Sequence, residues 1–309
     1  MPLYLTEADV EQLLTPADAI AAVEACLQRL ARGEVENRPR VRQKANGGAF
    51  AVMSAVDHEL RFAGVKSYAW LPSGTPFVVC LFDLDRAELA AVIEADKLGQ
   101  LRTGAASAIA AKYLARERAS SLGVLGCGWQ AQSQVLCIRE AVPTIERVVA
   151  YCRTEKNLAR FCKTFGAEPG ETHRDAAEQD IVVTVTTSRD PVLRGEWLKP
   201  GALVCAVGAN DRRARELDNA VLERASFVCC DSIEQAKLES GDLIEPIEQG
   251  LLDWLEVHEL QEVVAGELQG RQSDDDIVLF KSNGIAAWDV AAGALALERA
   301  REQGVGAEV

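Results

Sequence analysis

The sequence predicts an α/β protein in which a doubly wound parallel sheet of Rossmann type is inserted into a second α+β domain. Three observations predict it. An apolar strand at residues 122–125 runs into Gly126-Cys127-Gly128-Trp129-Gln130-Ala131 and then into a helical stretch. Strand-like and helix-like segments alternate from Ala119 onward. Before that point the order is helix followed by antiparallel strands. The spacing of Gly126, Gly128 and Ala131 is the G-x-G-x-x-G/A pattern that opens a dinucleotide-binding βαβ unit. Gly126 permits the tight turn, Gly128 lets a pyrophosphate approach bare backbone, and Ala131 lets the helix close on the sheet. The positive end of that helix attracts phosphate. The pattern is weak alone; the strand before it and the helix after it are the context it requires.

Composition bounds the rest. The chain has 309 residues, 48% of them hydrophobic, enough for the cores of two domains. A net charge of −14 argues against a nucleic-acid surface. An acidic chain that binds anions must gather its cations locally, so basic clusters near glycine turns are informative. No apolar run of about 18 residues occurs, so no membrane span is expected. Met1-Pro-Leu-Tyr-Leu-Thr-Glu lacks the basic-then-apolar pattern of a signal peptide, and a cytoplasmic protein is the expectation. Nine cysteines are scattered without a C-x-x-C pair, and His58, His173 and His258 form no H-x-x-x-H. Neither a disulfide framework nor a metal site is expected.

In chain order, Thr6 predicts a cap on a helix over 7–14. Thr15-Pro16 starts a second, in which Ile20, Val23, Leu27 and Leu30 recur at helical spacing. Arg38, Arg40, Arg42 and Lys44 alternate, which on a strand puts all four on one face; for three of them a solvated, charge-protected edge is the plain reading. Strands follow over 49–55 and 61–70, the second carrying Lys66, then a hairpin over 76–83 and 89–93. Residues 96–116 predict an Ala-rich helix. Gly104 within it costs about 1 kcal/mol against alanine, so it either admits a close neighbour or is merely tolerated. The alternating part comprises strand 122–125, helix 131–140, strand 147–151, helix 156–164 and strands 180–186, 203–207 and 227–230. Residues 256–272 read as helix and Asp274-Asp275-Asp276 as a solvated loop. The chain closes with a strand at 278–280, a turn at Ser282-Asn283-Gly284 and a long Ala-rich helix.

In a doubly wound sheet ligands sit at the carboxyl ends of the strands. Those ends carry Gly126-Cys-Gly128, Arg153-Thr154, Thr186-Thr-Ser188 and Gly208-Ala-Asn210, a coherent set. A second strand that ends in Asp or Glu holds the ribose 2′-hydroxyl of NAD. Here Cys152-Arg153-Thr154 follows the strand and the first carboxylate is Glu155. Arg153 offers a clamp for a 2′-phosphate and Thr154 a hydrogen bond, which favours NADP(H) over NAD(H).

The chain resembles the ornithine cyclodeaminase/μ-crystallin family. The matching pieces, in the family's order, are Gly64-Val-Lys66, Leu101-Arg-Thr-Gly-Ala-Ala-Ser107, Gly123-Val-Leu-Gly-Cys-Gly-Trp-Gln-Ala131, Ala206-Val-Gly-Ala-Asn210 with Glu216-Leu-Asp218, and Phe280-Lys-Ser-Asn-Gly284. The resemblance implies a substrate-binding and dimerisation domain of residues 1–116 plus 286–309, around a dinucleotide-binding domain of residues 117–285. It implies a homodimer paired through the antiparallel sheets. It assigns Arg40, Lys66 and Arg102 to the substrate carboxylate, which selects Arg40 from the basic strand. It also adds Thr103, Trp129, Gln130, Thr186, Val207 and Ser282 to the cofactor positions. Arg suits bidentate binding of a carboxylate, and Lys supplies a proton as well as charge.

Members of this family move a hydride to or from the carbon beside a carboxylate: cyclodeaminases, imine reductases and alanine dehydrogenases. Two departures choose among them. Asn210 stands where cyclodeaminases carry an acid, and an amide is no general base; Asp211 would take that role only after a one-residue shift. Ala51 stands where a Glu would grip the distal amine of ornithine. The reading is therefore an NAD(P)H-dependent reductase of a cyclic ketimine acid, with Lys66 and Asn210 at the reacting centre. Ornithine cyclodeamination and alanine dehydrogenation are the alternatives, and a non-catalytic NADP(H)-binding protein is the rival of another class.

Overall fold

The computed structural model describes all residues, Met1–Val309. The chain begins with β1 (Leu3–Leu5), α1 (Glu7–Leu13) and α2 (Pro16–Ala31). Thr6 and Thr15 each accept from the backbone N–H three residues on, while Asp9 and Asp18 bond back to the cap, so both helices start in full capping boxes. Next come β2 (Val35–Ala45), β3 (Gly48–Asp57), β4 (Phe62–Trp70), β5 (Phe77–Asp83), β6 (Glu88–Glu94) and α3 (Asp96–Leu114). The alternating part follows: β7 (Ser121–Leu125), α4 (Trp129–Ala141), β8 (Arg147–Tyr151), α5 (Glu155–Phe165), β9 (Glu168–Pro169), α6 (His173–Ala177), β10 (Ile181–Thr184) and β11 (Leu203–Ala206). It continues through α7 (Asn219–Arg224), β12 (Ala225–Cys230), α8 (Ile233–Glu239), α9 (Gly241–Glu248), β13 (Val257–Glu259), α10 (Leu260–Val264) and β14 (Ile277–Lys281). The chain ends with α11 (Ala286–Gln303) and β15 (Ala307–Glu308).

These elements form two units, one of Met1–Thr103 with Gly284–Val309, the other of Gly104–Asn283. The division falls inside α3 instead of after residue 116. Gly104 explains it: a Cβ there would run into the backbone carbonyl of Ser133 on α4, so from this residue on α3 packs into the second unit. That contact also accounts for a glycine in mid-helix.

The first unit carries a seven-stranded sheet in the order β15-β1-β6-β5-β4-β3-β2, antiparallel from β6 to β2. Its register puts Met53, Lys66 and Val79 in one row and Ala55, Gly64 and Leu81 in another, all on one face. Helix α11 covers that face: a Cβ at Gly64 would lie 2.5 Å from Val290. One expectation is corrected on β2. A register shift between Arg38 and Val41 sets Arg38 and Val41 opposite Ser54 and Val52, on the same face, and Arg42 opposite Ala51 on the other. The bulge breaks the alternation, so the four basic residues do not share a face. Arg40 is buried, and Arg38, Arg42 and Lys44 are exposed.

The second unit carries an eight-stranded parallel sheet in the order β13-β12-β14-β11-β10-β7-β8-β9. Its central strands are wholly buried, as a sheet covered on both faces requires. Residues 256–272 depart from the expected helix. Val257–Glu259 instead pair with β12, α10 has five residues, and Gly266 at φ +75° ends it.

Candidate active site

The glycine turn is built as its residue types require. Gly126 sits at φ +116°, where L side chains strain, and a Cβ there would strike the carbonyl of Val185. A Cβ at Gly128, by contrast, would meet no atom within 4 Å, so the backbone lies open at the place a pyrophosphate needs. Gly128 is the N-cap of α4 and supplies no side-chain cap bond, and a helix N-terminus of this kind attracts phosphate. Ala131 is fully buried against the sheet, Trp129 is exposed, and the Gln130 side-chain oxygen is buried without a protein partner. These residues fit a dinucleotide.

The other predicted cofactor positions in this unit follow strands. Arg153 and Thr154 come directly after β8, both exposed, and Thr154 caps α5 without a side-chain bond. Thr186 and Val207 follow β10 and β11, and Ser282 follows β14 with its hydroxyl donating to Asp231 at 3.1 Å. The loops after β10 and β11 are held by a buried ionic network that sequence reasoning missed. Glu216 Oε1 accepts the N–H of Thr186 at 2.6 Å. Its Oε2 accepts Gly208 N–H at 2.7 Å, Ala209 N–H at 3.2 Å and the Thr184 hydroxyl at 2.9 Å. Asp242 takes the N–H groups of Glu216 and Leu217 and pairs with Lys281 at 3.1 Å, while Lys281 Nζ donates to the Ala209 carbonyl at 2.6 Å. Burial pushes the Glu216 carboxyl up, and the Lys281 ammonium opposes that shift. The signal available in the sequence was Lys281, a charge ending the apolar run Val278-Leu-Phe280.

Asn210 lies just beyond this network and is exposed. The alternative base, Asp211, is folded onto its own loop, accepting Arg213 N–H at 2.9 Å and pairing with the Arg213 guanidinium at 3.1 Å.

In the first unit β2, β4 and α3 bring Arg40, Lys66 and Arg102 together, exposed by only 9%, 4% and 6%. Lys66 and Arg102 share one partner, Asp289 in the first turns of α11, which the sequence reading did not single out. One oxygen, Oδ1, accepts both Lys66 Nζ at 2.7 Å and Arg102 Nε at 3.0 Å. Arg40 donates to the Gly284 carbonyl at 3.3 Å and packs its Nε 3.3 Å from the Met53 sulfur. Gly284, at φ +79°, lets the chain turn against Arg102; a Cβ there would lie 2.7 Å from Nη1. The Phe77 ring sits 5.5 Å from Lys66 Nζ and pairs with Tyr68. Desolvation, with Arg102 and Arg40 nearby, pushes the Lys66 ammonium down to about 8, against the opposing pull of Asp289. Thr103 spends its hydroxyl within α3, donating to the Gly99 carbonyl at 2.7 Å. Ala51 is buried on the face that carries Met53 and Lys66. Two buried cations, Lys66 and Arg102, share one carboxylate oxygen, and Lys66 is an amine near neutrality that can carry a proton.

Comparison with known proteins agrees with this geometry. A sequence model described as the Ornithine cyclodeaminase/mu-crystallin family matches residues 2–304. The chain is 36% identical to the alanine dehydrogenase of Archaeoglobus fulgidus, covering 99% of this chain and 98% of that one. It is 36% identical to a Delta(1)-pyrroline-2-carboxylate reductase of Bacillus cereus, over 84% of this chain and 83% of that one. Among solved structures, Thermococcus litoralis Delta(1)-pyrroline-2-carboxylate reductase in complex with NADH and L-proline superposes with a TM-score of 0.95 at 33% identity, covering 99% of this chain and 100% of that one.

Proposed function

Because the chain belongs to the ornithine cyclodeaminase/mu-crystallin family, we propose that it reduces a cyclic ketimine acid of the Δ1-pyrroline-2-carboxylate or Δ1-piperideine-2-carboxylate type to the cyclic amino acid. It is an oxidoreductase of C=N or CH–NH bonds that uses a nicotinamide dinucleotide. The observation that carries the proposal is the buried set of Arg40, Lys66 and Arg102 around a single carboxylate, with Ala51 and Asn210 at the two places where a cyclodeaminase needs acids. Arg40 and Arg102 bind the substrate carboxylate, and Lys66 delivers a proton to the imine nitrogen. When bound, the dinucleotide supplies the hydride to the carbon that bears the carboxylate. Hydride plus proton turns C=N into CH–NH, and NAD(P)H leaves oxidised.

Cofactor absorbance tests this. NADPH or NADH should be consumed when either imine is added. Ornithine giving proline and ammonia with no net cofactor consumption would overturn the reading. Faster turnover of pyruvate plus ammonia would move it to alanine dehydrogenase chemistry, which the Archaeoglobus relative favours.

Two finer readings go with it. Arg153 and Thr154, with no carboxylate before Glu155, support a preference for NADPH over NADH. A homodimer is supported by the face of the first unit's sheet turned away from α11. There the cross-strand rows Val56-Ala63-Phe82-Leu89 and Ser54-Val65-Cys80-Val92 are apolar but for one serine, and Phe82, Phe50 and Val41 are exposed. An uncovered apolar face of this kind marks an interface. Light scattering at a twofold chain mass checks it. Nine free cysteines suit the reducing cytoplasm proposed for the protein.

A further inference from the structure

Lys66 and Arg102 share an anion that the proposed reduction leaves without a role. Asp289 lies in the stretch Ala286-Ala-Trp-Asp-Val-Ala-Ala-Gly-Ala294, in which it is the only charged residue, and it is 1% exposed. A carboxylate taken that far from water must be paired. Here both partners converge on Oδ1, and Oδ2 is buried with no hydrogen bond. Leaving a buried acceptor unsatisfied is costly, so an unsatisfied oxygen in a native site calls for an explanation. The arrangement instead fixes two side chains by one atom. Arg102 is held through Nε, which leaves its terminal Nη groups for another anion. Lys66 is held at the end of its stem, so the ammonium has one direction.

We propose that Asp289 is a positioning residue for the reduction: it fixes Lys66 and Arg102 through one oxygen and keeps the Lys66 ammonium charged as the proton donor to the imine nitrogen. This rests on the reductase reading given above. The charged groups facing Lys66 are Asp289 from α11, Arg102 from α3 and Arg40 from β2, so Asp289 is the only anion among them. Its removal leaves two guanidinium groups acting on a buried ammonium, and the Lys66 pKa falls below its present value of about 8. Reduction needs Lys66 protonated. The alkaline limb of the kcat/KM profile therefore moves to lower pH in Asp289→Asn.

The experiment compares wild type, Asp289→Asn and Asp289→Glu. The expected result for Asp289→Asn is an alkaline limb lower by about one pH unit or more, a tenfold change in the protonation equilibrium per unit. Turnover at pH 8 should fall about fivefold or more, as the protonated fraction of Lys66 drops from about one half to about one tenth, with NADH affinity, measured by fluorescence titration, unchanged. Asp289→Glu keeps the charge but displaces it by a methylene, so the limb should stay near wild type while turnover falls. A uniform loss at all pH values in Asp289→Asn would mark a merely structural role and overturn the proposal, as would full activity. Should that variant fail to fold, Asp289→Glu decides alone: full turnover overturns the proposal, and reduced turnover with intact NADH binding supports it. NMR titration of the ¹³Cε resonance of Lys66, assigned by its absence in Lys66→Met, separates this from the functional reading. If wild type reduces no imine but that resonance titrates lower in Asp289→Asn, the reaction assignment fails and the positioning role stands. If the resonance does not move, the proposal fails whatever the activity.

Discussion

In the unit of residues 104–283, Glu216 gives both oxygens to four donors, and Lys281 lies between the Asp242 carboxylate and two carbonyls. In the other unit Asp289 uses one oxygen for two cations, and Arg40 is buried nearby. Both clusters are buried and both cost desolvation. The first is closed on backbone N–H groups, a hydroxyl and a lysine, so it holds loops in place. The second sets two cations, Lys66 and Arg102, against one carboxylate, so it is open to an anion. What the buried charges bond to, more than their burial, separates the scaffold from the proposed site.

Substitution in the open cluster should break activity and spare the fold. Lys66→Met removes the proton donor and one cation, and kcat/KM for imine reduction should fall about 10²–10⁴-fold, the range for loss of a general acid. NADH affinity should be unchanged, because the glycine turn lies in the other unit. A variant that kept its turnover would make this cluster as structural as the closed one. Substitution in the closed cluster should do the reverse. Glu216→Ala removes the carboxylate acceptor of three backbone N–H groups and a buried hydroxyl, of which Gly208 N–H alone keeps a second acceptor, the Thr184 carbonyl. A stability loss of roughly 3–5 kcal/mol, read by denaturant unfolding, is expected for a broken buried charge network.

The open cluster should also cost stability. Lys66 has a folded pKa of about 8 against 10.5 when free. Between those values the unfolded chain binds more protons than the folded one, so the group adds stability as pH rises and withholds it below pH 8. Lys66→Met should thus raise the thermal midpoint at pH 7, by a few degrees for a gain on the order of 1–3 kcal/mol. The gain should shrink toward pH 10. A lower midpoint at pH 7 would mean that Lys66 stabilises the fold.

What could be read from the chain follows the same division. The glycine turn, Thr6 and Thr15 are local: each acts on neighbours a few residues away, and their spacing is visible in one dimension. Arg40, Lys66 and Arg102 were reachable only through a resemblance, because residues so far apart share no period. Asp289 was missed although it stands alone in an Ala-rich helix, since a lone carboxylate does not name its partner. The even spacing of Arg38, Arg40, Arg42 and Lys44 misled, because a bulge adds a residue that no propensity scale counts. Residues 256–272 misled for the complementary reason: pairing with β12 overrode a helical pattern.

The smallest effect contrasts an exposed cation with the buried ones. Arg153 is exposed at the end of β8, so its attraction for a 2′-phosphate is screened by salt, with a Debye length near 3 Å at about 1 M. Arg153→Ser should lower the NADPH:NADH ratio of kcat/KM about tenfold, the scale of one charge-assisted contact. Raising salt should shrink the wild-type preference in the same direction and leave the variant's ratio flat. The KM for the imino acid should respond far less to salt, because Arg40, Lys66 and Arg102 meet the substrate carboxylate where ions do not follow. If both constants changed together with salt, the clamp would be open to solvent and the contrast between the two kinds of site would fail.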